Sequence, residues 1–527
     1  MFWSRFTNEP ICDYAKDENV KGAELAIRAL EGRLDGRYPA IIGGRRVETG
    51  KWITSVSPAR PDRVVGHVAS CTRAHVDEAI AEAKKAWTSW ARTDPEARAE
   101  TLVRLAALMR RDRFELLALL SYEIGKDWYE ADAEIAEAID FCDYYARLAT
   151  RHFQYQPLTR MSNEDNCYYY ISLGVGAIVS PWNFPLAILA GMTMAAVVSG
   201  NTVVVKPSSD TPVIAAKLLD LAREAGVPDG VINLVPGSGG EIGDYLVTHP
   251  EIRFVAFTGS AEVGVRIQEL IAKPDPRRKW LTRYLAEMGG KDGIVVDETA
   301  DLDAASTGIV RSAFGFQGQK CSACSRAIVD RRVKDELIER IIEKTKKLPA
   351  ADPWEGPCVF TGPVANRPAY EKILEAIETG KKEARLVLGG HALDRPGWFV
   401  TPTIFDGVAS RSFLGQEEIF GPVLAVIPVD GFDAALAAAN DTRYGLTGAV
   451  FTSSVERIDR AKSEFHCGNL YINRGCTGAM VGVHPFGGFN LSGTDSKAGG
   501  PDYLMHFTQG KTTSERTTVS RLPGIGV

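Results

Sequence analysis

Hydrophobic positions recur at helical spacing through the first third of the chain. From Thr72 onward, apolar residues follow every three or four positions, which predicts an amphipathic helix. Asp94 followed by Pro95 is typical of a helix start, because Asp caps the first N–H groups and Pro fits the first helical position. We expect that helix to end near Gly125 and a third helix to cover about residues 128–145. We expect these helices to serve as packing surface for the rest of the protein.

The pattern changes near residue 168. Short, continuous apolar runs such as T-V-V-V-K-P at 202–207 predict strands buried on both faces, and amphipathic helices separate these runs up to residue 271. The alternation resumes after residue 287. Alternating strands and helices predict an α/β fold, with a doubly wound parallel sheet followed by a second α/β domain.

Length and composition limit the class of protein. A chain of 527 residues exceeds one ordinary domain, and its apolar share of 45% and charged share of 24% predict a soluble globular protein. With a net charge of -6 the chain has no excess of basic residues, so we expect no nucleic-acid partner. The nine cysteines follow no regular spacing, which favours a reducing compartment and a cytoplasmic location. The N-terminus lacks the basic and apolar runs of a signal peptide.

One uncharged stretch tests the soluble interpretation. Residues 166–205 contain no charged side chain, and about 20 apolar residues can span a bilayer. However, Pro181, Asn183 and Pro185 fall inside this stretch with four glycines, and no basic cluster flanks it. We interpret it as a buried strand, a loop and a buried helix, with a membrane span as the minor alternative.

Cys321 lies in a segment rich in small and amide side chains, F-G-F-Q-G-Q-K-C-S-A-C-S-R at 314–326. Glycines let a backbone approach a substrate closely, so a thiol on this loop is placed like a nucleophile. Two alternatives stay open: a buried structural cysteine, or a C-x-x-C pair with Cys324 that forms a redox couple or half of a zinc site. No second C-x-x-C and no nearby H-x-H or H-x-x-x-H exists, so we expect no metal.

Four short motifs together resemble a known protein family, although each motif alone could arise by chance. They are S-P-W-N-F-P at 180–185, K-P-S-S at 206–209, E-M-G-G-K at 287–291 and G-Q-K-C at 318–321. F-T-G-S at 257–260, E-E-I-F-G-P-V at 417–423 and P-F-G-G at 485–488 agree as well. In this order the motifs resemble the aldehyde dehydrogenase superfamily, from about residue 38 to about residue 508.

The resemblance implies a division into domains and an oligomer. The expected fold is aldehyde dehydrogenase-like: a doubly wound dinucleotide-binding domain, an α/β catalytic domain and a small β oligomerisation extension. The expected bounds are 1–152 and 171–286 for the NAD-binding domain with its N-terminal helices, 287–482 for the catalytic domain, and 153–170 and 500–527 for the extension. In the family this extension docks on a partner subunit, so we expect a homo-oligomer built from dimers.

The resemblance also implies three catalytic residues. Cys321 is the implied nucleophile, because a thiolate added to an aldehyde supplies the electron push that expels a hydride. The Asn183 side-chain amide and the Cys321 backbone N–H are similar to the family's oxyanion hole. Glu287 is the implied base that activates first the thiol and then a water molecule. Outside these motifs, Asn183 would be interpreted as a turn cap and Glu287 as a surface charge.

The implied cofactor is NAD, with NADP tolerated. From the residues alone, G-S-A-E-V-G at 259–264 is a weak phosphate signal at a helix N-terminus. The resemblance implies that Lys206 reaches the adenosine ribose and that Glu418 and Phe420 hold the nicotinamide end. Ser209 lacks the charge of the glutamate that many NAD-preferring relatives place there to repel a 2′-phosphate. The whole implied set is Ser180, Pro181, Trp182, Lys206, Ser209, Gly239, Gly243, Phe257, Thr258, Gly259, Ser260, Val263, Glu418 and Phe420.

Two motifs point to a branch of the superfamily. F-Q-G-Q-K-C-S-A-C-S-R, and T-G-A-M-V-G-V-H-P-F-G-G at 477–488, resemble the enzymes that oxidise L-glutamate γ-semialdehyde to L-glutamate in proline breakdown. The long N-terminal domain of bifunctional relatives is lacking, so we expect the monofunctional form. The branch implies substrate contacts from Lys320, Ser322, Cys476, Thr477, Gly478 and Phe486. Relatives have a serine at the position of Cys476. We expect the Cys476 thiol to be a poor hydrogen-bond donor.

Two other functions stay open. One is an aldehyde dehydrogenase for another semialdehyde or an aliphatic aldehyde. The other is a catalytically silent relative kept as a structural or binding protein, against which the presence of Cys321, Glu287 and Asn183 counts heavily. In each enzymatic case the expected partner is a small-molecule aldehyde, with no nucleic acid and no membrane.

Overall fold

The computed structural model describes residues 5–516. The α-helices in this range are α1 (Asp17–Glu31), α2 (Arg73–Trp90), α3 (Pro95–Arg111), α4 (Arg113–Ile124), α5 (Trp128–His152), α6 (Ala187–Val198), α7 (Pro212–Glu224), α8 (Asp244–Thr248), α9 (Ala261–Ala272), α10 (Leu302–Phe314), α11 (Arg331–Thr345), α12 (Arg367–Glu383), α13 (Phe413–Gln416), α14 (Gly431–Asn440) and α15 (Val455–Glu464). The strands are β1 (Gly36–Tyr38), β2 (Ala40–Ile42), β3 (Arg45–Val47), β4 (Trp52–Val56), β5 (Val64–Ala69), β6 (Glu164–Ser172), β7 (Val175–Val179), β8 (Thr202–Lys206), β9 (Ile232–Leu234), β10 (Phe254–Thr258), β11 (Arg283–Glu287), β12 (Gly293–Val296), β13 (Arg326–Asp330), β14 (Arg385–Leu388), β15 (Thr403–Asp406), β16 (Val423–Val429), β17 (Tyr444–Gly445), β18 (Thr447–Phe451), β19 (Asn469–Ile472), β20 (Phe489–Asn490) and β21 (Thr508–Arg516).

Two seven-stranded sheets form the body of the molecule. The first has the strand order β11-β10-β7-β8-β9-β2-β3, and its five strands from β11 to β9 are parallel. The second has the order β14-β15-β16-β13-β12-β18-β19 and is parallel except for β14. Helices cover both faces, so strands such as β8 and β12 are buried at every residue. This confirms the predicted α/β fold.

Helix boundaries follow local chemistry where the sequence predicted them. The Asp94 side chain accepts a hydrogen bond from the Glu96 N–H at the start of α3, with Pro95 at the first helical position. Gly125 ends α4 in the left-handed conformation, with φ 76°. The third predicted helix, α5, continues to His152 and is largely buried.

The helix predicted from Asp94 to Gly125 is in fact two helices, so the prediction of one continuous helix is wrong. Asp112, with φ -95° and ψ 18°, separates α3 from α4. Its carboxylate accepts hydrogen bonds from Arg111 and from Lys217 on α7. The contact with Lys217 joins segments that are far apart in sequence, so local apolar spacing does not encode it.

A separate ribbon joins two distant segments. β6 and β21 pair antiparallel from Thr508 opposite Ser172 to Arg516 opposite Glu164. The run of strand-like residues around 168–180 is therefore divided, because β6 belongs to this ribbon and β7 to the first large sheet. Residues 1–4 of the expected NAD-binding domain and residues 517–527 of the expected extension lie outside the described residues.

The uncharged stretch 166–205 becomes the expected strand, loop and buried helix. β7 and α6 are buried over nearly their whole length, and the S-P-W-N-F-P loop connects them. Over residues 5–516, no helix combines the length and apolarity that crossing a membrane requires.

Candidate active site

The loop that carries Cys321 has an unusual backbone. It follows α10, and the three successive residues Phe316, Gln317 and Gly318 have φ values of 48°, 55° and 67°. Left-handed conformations of non-glycine residues cost energy and persist only where surrounding contacts enforce them. Here the Gln317 side chain donates to the Phe360 carbonyl at 3.0 Å, and the Gln319 side chain accepts from the Ala365 N–H at 2.8 Å. Two hydrogen bonds to the segment 360–365 thus hold the loop.

Asn183 lies against this loop. It follows β7, and its side-chain amide donates to the Gln319 carbonyl at 3.0 Å. Because each residue spans at most about 3.6 Å, the Asn183 amide lies within about 10 Å of Cys321. One N–H of the amide is committed to Gln319, which leaves the other available to an oxygen bound beside Cys321.

Glu287 is the last residue of β11, the edge strand of the first sheet. Its Oε1 accepts a hydrogen bond from the Ser496 hydroxyl at 2.7 Å, whereas its buried Oε2 has no hydrogen-bond partner among the described residues. Burial raises the pKa of the Glu287 carboxyl to about 8. A carboxyl with a pKa in this range can take up and release a proton near neutral pH.

Two glycines bring Glu418 and Cys321 together. The Gly290 N–H donates to Glu418 Oε1 at 2.9 Å. A Cβ added to Gly289 would lie 2.2 Å from Glu418 Oε2, and one added to Gly290 would lie 2.3 Å from the Cys321 carbonyl oxygen. Glycine is therefore required at both positions for this close approach.

The Cys321 thiol lies in acidic surroundings. Burial raises its pKa well above the usual value, and the charges of Asp292, Glu418 and Glu287 raise it further. The resting side chain is therefore a thiol, which must lose its proton to act as a nucleophile. Cys324 is buried and free, with its thiol directed to the Arg326 carbonyl, so the C-x-x-C residues do not form a disulfide.

The residues expected to hold the cofactor cluster around the carboxyl ends of β7, β8 and β10. The Lys206 ammonium at the end of β8 is buried and donates to the Pro207 carbonyl at 3.1 Å; burial lowers its pKa to about 8. A Cβ on Gly243 would lie 3.9 Å from Lys206 Cε, and Gly239 faces open space. Ser209 is exposed beside this site.

The start of α9 and one aromatic pair complete this set. The Ser260 hydroxyl accepts from the Val263 N–H at 3.3 Å and caps α9. A Cβ on Gly259 would meet the Phe257 ring at 2.6 Å, and the preceding residue, Thr258, pairs in register with Glu287. Trp182, which follows Ser180 and Pro181, meets Phe420 edge to face with ring centroids 5.4 Å apart.

The residues expected to bind the substrate form two groups. Lys320 and Ser322 are the neighbours of Cys321, and the others lie in the segment 476–486. The Lys320 ammonium lies 2.6 Å from Glu130 Oε1 and has a side chain only 13% exposed. The Cys476 thiol is fully buried and donates to the Ser322 carbonyl at 3.3 Å, so it faces the protein interior rather than a ligand. Arg474 donates to the carbonyls of Thr477 and Gly478.

The backbone fixes two of these residues. Gly478 has φ 77°, in the region that favours glycine. Phe486 exchanges two backbone hydrogen bonds with Ala498, at 2.9 and 2.8 Å.

An acidic face of α5 was missed by the sequence analysis. Glu130, Glu134 and Glu137 share one helical face at spacings of four and three residues. Burial, together with the charge of Glu134, raises the pKa of Glu137 to about 7, and Lys320 is among the charges that oppose the rise. Burial opposes ionisation of Glu130, but the charge of Lys320 lowers its pKa overall. Acidic residues repeating on one face of a buried helix were the available signal.

Comparison with known proteins agrees with this geometry. The sequence profile of the aldehyde dehydrogenase family matches residues 46–513. The chain belongs to the aldehyde dehydrogenase family.

Several relatives of this aldehyde dehydrogenase carry the same name. Proteins called 1-pyrroline-5-carboxylate dehydrogenase from Geobacillus sp. (strain WCH70) and Geobacillus thermodenitrificans are each 52% identical over 510 residues, which is 97% of this chain and 99% of the relative. A Thermus 1-pyrroline-5-carboxylate dehydrogenase solved with bound NAD has a TM-score of 0.96 and 46% identity, covering 98% of this chain and 100% of that one. Proline utilization A from Bdellovibrio bacteriovorus has a TM-score of 0.96 and 43% identity, covering 97% of this chain and 53% of that one.

The donor set of this aldehyde dehydrogenase fits a dinucleotide. The buried Lys206 ammonium has a neutral carbonyl as its partner, which leaves its charge and two of its protons for a ribose or phosphate oxygen. The N-terminus of α9 offers free N–H groups to an anion. Glu418 lies beside Gly289 and Gly290, and Gly290 in turn lies against the Cys321 carbonyl.

Proposed function

We propose that this aldehyde dehydrogenase oxidises L-glutamate γ-semialdehyde, formed from Δ1-pyrroline-5-carboxylate, to L-glutamate with NAD in proline catabolism. The names of its relatives at about half identity support this proposal. The structural observation that carries it is a pair of opposite charges beside the nucleophile: Lys320, which is bound to Glu130, and the half-buried Glu137. The substrate has an α-carboxylate and an α-ammonium, which such a set can bind.

The first chemical step is addition of sulfur to the aldehyde. Glu287 takes the thiol proton, and Cys321 Sγ forms a bond to the aldehyde carbon. Negative charge then develops on the former carbonyl oxygen, where the free N–H of Asn183 and the backbone N–H of Cys321 donate to it. Loss of one such donor typically costs about 2.7–4 kcal/mol of barrier.

The second step is hydrolysis. The chemistry that NAD supplies when bound is acceptance of a hydride, which leaves a thioester on Cys321. Glu287 releases the thiol proton to solvent and then removes a proton from a water molecule, whose oxygen attacks the thioester carbon. The carbon–sulfur bond breaks, and the carboxylic acid leaves while sulfur recovers a proton. Lys206, Glu418 and Phe420 are the residues proposed to hold the two ends of NAD.

The amino-acid end of the substrate is proposed to bind between α5 and the loop at 475–478. Glu137 would accept from the α-ammonium, whereas Lys320, Ser322 and backbone groups near Gly478 would donate to the α-carboxylate. Cys476 would take part only through its backbone, because its thiol is bonded to the Ser322 carbonyl.

Assembly and location are also proposed. The exposed apolar side chains Tyr155 and Met161 next to the β6–β21 ribbon support docking of a second copy there, as part of a homo-oligomer built from dimers. All nine cysteines are free, which supports a cytoplasmic location. The proposed domains are 1–152 with 171–286, 287–482, and the extension 153–170 with 500–527; the last strand of the first sheet ends at Glu287.

A turnover assay tests the proposal. NADH formation would be measured with NAD and glutamate semialdehyde, succinic semialdehyde or propanal. We expect the highest kcat/KM for glutamate semialdehyde. Higher kcat/KM for propanal would leave only a general aldehyde dehydrogenase, and no turnover with any aldehyde would favour the silent relative.

A further inference from the structure

Lys126 is a buried cation that the reaction scheme does not use. It lies between α4 and α5, and its ammonium is 2.6 Å from Glu134 Oε2, with both side chains fully buried. A buried ion pair is weak evidence for stability, because desolvation of the two charges offsets their attraction. We therefore use the contacts of Lys126 and Glu134 to infer a role for the pair other than stability.

The carboxylate of the pair holds one end of the Asn183 loop. Glu134 Oε1 accepts hydrogen bonds from the N–H groups of Leu186 and Ala187, at 2.8 and 3.1 Å. These residues begin α6, directly after the S-P-W-N-F-P loop. Glu134 thus anchors the loop a few residues from Asn183.

The ammonium of the pair lies between the Asn183 loop and the Cys321 loop. Lys126 Nζ is 3.7 Å from the ring centroid of Phe184 and 4.6 Å from that of Phe316. The two rings also meet edge to face, with centroids 6.5 Å apart. A cation over an aromatic face is attracted most strongly where water is excluded, as it is here.

Phe184 and Phe316 connect this cation to the catalytic groups. Phe184 directly follows Asn183, and Phe316 is the first left-handed residue of the nucleophile loop. We propose that Lys126 is a positioning residue that clamps these two loops together and so sets the distance between the Asn183 amide and Cys321. The proposal rests on the proposed aldehyde oxidation, in which these two groups converge on one oxygen.

The variants separate positioning from folding. Lys126→Met removes the cation and leaves Glu134 buried and unpaired. Lys126→Met combined with Glu134→Gln removes both charges and keeps an acceptor for the α6 N–H groups. Lys126→Arg keeps a cation. Lys334→Met is the matched control, since Lys334 pairs with the buried carboxylate of Asp406 in the second domain.

The readout is the rate of the NADH burst with propanal at saturating NAD, which reports formation of the thioester. We expect Lys126→Met, alone and with Glu134→Gln, to lower this rate about tenfold or more, because small displacements of reacting groups are costly. The KM for NAD should stay within about twofold, and Lys334→Met should match the wild type. Lys126→Arg should recover most of the rate.

A double-mutant cycle with Asn183→Ala tests the route of the effect. If Lys126 acts through Asn183, Lys126→Met should have little further effect on the Asn183→Ala enzyme. Losses that multiply, or a wild-type burst rate in the folded Lys126→Met/Glu134→Gln protein, would overturn the proposal. Should neither methionine variant fold, Phe184→Leu decides, because it removes the ring and leaves the ion pair; a wild-type burst rate would then overturn the clamp.

The failures of the two proposals are distinguishable. Wild-type protein that oxidises no aldehyde would overturn the proposed function itself. A normal wild-type burst that is equally fast in the Lys126 variants would overturn the clamp alone.

Discussion

The side-chain amide of Asn183 donates a hydrogen bond to the backbone carbonyl of Gln319 at 3.0 Å. This bond crosses from the first sheet's loops to the nucleophile loop, over a separation of 136 residues. It uses one N–H of the amide and leaves the second for another acceptor. A single side chain therefore links the loop after β7 to the nucleophile loop, and we propose that it also supplies a donor to the reaction.

Replacement of Asn183 by alanine should slow acylation. The variant loses one oxyanion donor, so we expect the NADH burst rate to fall about 10²- to 10³-fold. The KM for NAD should be nearly unchanged, because the groups around Lys206 lie elsewhere. Stopped-flow measurement of the burst checks this, and an unchanged burst rate would show that the amide has only a structural role.

Replacement of Cys321 by alanine should abolish aldehyde oxidation and leave NAD binding intact. Cys324→Ala is the matched control, since it removes a neighbouring buried thiol. We expect the control to keep most activity and to lose about 1 kcal/mol of stability through the missing sulfur. Activity and NAD affinity should be measured for both variants. Equal loss of activity would mean that the wrong sulfur was chosen or that the two cysteines act as a pair.

Motifs in the sequence predicted much of the fold and most of the residues gathered at the candidate site. Strand runs and helix caps are local, so β8 and the start of α3 could be predicted from neighbouring residues. Pairings between distant segments could not. Lys320 and Glu130 are 190 residues apart, and only the folded chain shows that Lys320 is paired rather than solvated.

The direction in which a side chain points could not be predicted from the sequence either. Cys476 belongs to the predicted substrate loop, but its thiol is turned inward to the Ser322 carbonyl. At the break between α3 and α4, the Asp112 carboxylate accepts from Lys217, a partner on another helix. Both contacts join segments that are distant in sequence, so neighbouring residues could not predict them.

Glu287 should impose a pH dependence on turnover. Burial raises the pKa of its carboxyl to about 8, so the carboxyl is protonated below that pH and becomes a base above it. We expect the steady-state rate with saturating substrate to rise as pH increases from 6 to 9, with a midpoint near the pKa of the bound enzyme. Glu287→Gln should slow thioester hydrolysis most and show a burst followed by slow turnover. A Glu287→Gln profile with the same rise would assign the titration to another group.

Asp210 should contribute to the choice between NAD and NADP. Ser209 is uncharged, but the Asp210 carboxylate lies close enough for its charge to act on the Lys206 ammonium. If it faces the ribose, it repels a 2′-phosphate. Asp210→Asn should then raise the ratio of kcat/KM for NADP to that for NAD about tenfold, whereas Ser209→Glu should lower it. A ratio unaffected by Asp210→Asn would leave the discrimination to another group.

The last prediction concerns the amino-acid end of the substrate. Glutamate semialdehyde carries an α-ammonium that propanal lacks, and the half-buried Glu137 places its carboxyl near Lys320 and Cys321. Its pKa, raised to about 7 by burial, means that the carboxyl is largely ionised at pH 8 and binds a cation better as pH rises through 7. Glu137→Gln keeps the volume and removes the charge. Loss of one partner of a buried charge pair typically costs about 2–5 kcal/mol, so kcat/KM for glutamate semialdehyde should fall at least about thirtyfold at pH 8. The same change should leave kcat/KM for propanal within about threefold. Equal losses on the two substrates would mean that Glu137 supports the nucleophile loop, and an unchanged preference would remove the ammonium contact from the proposed site.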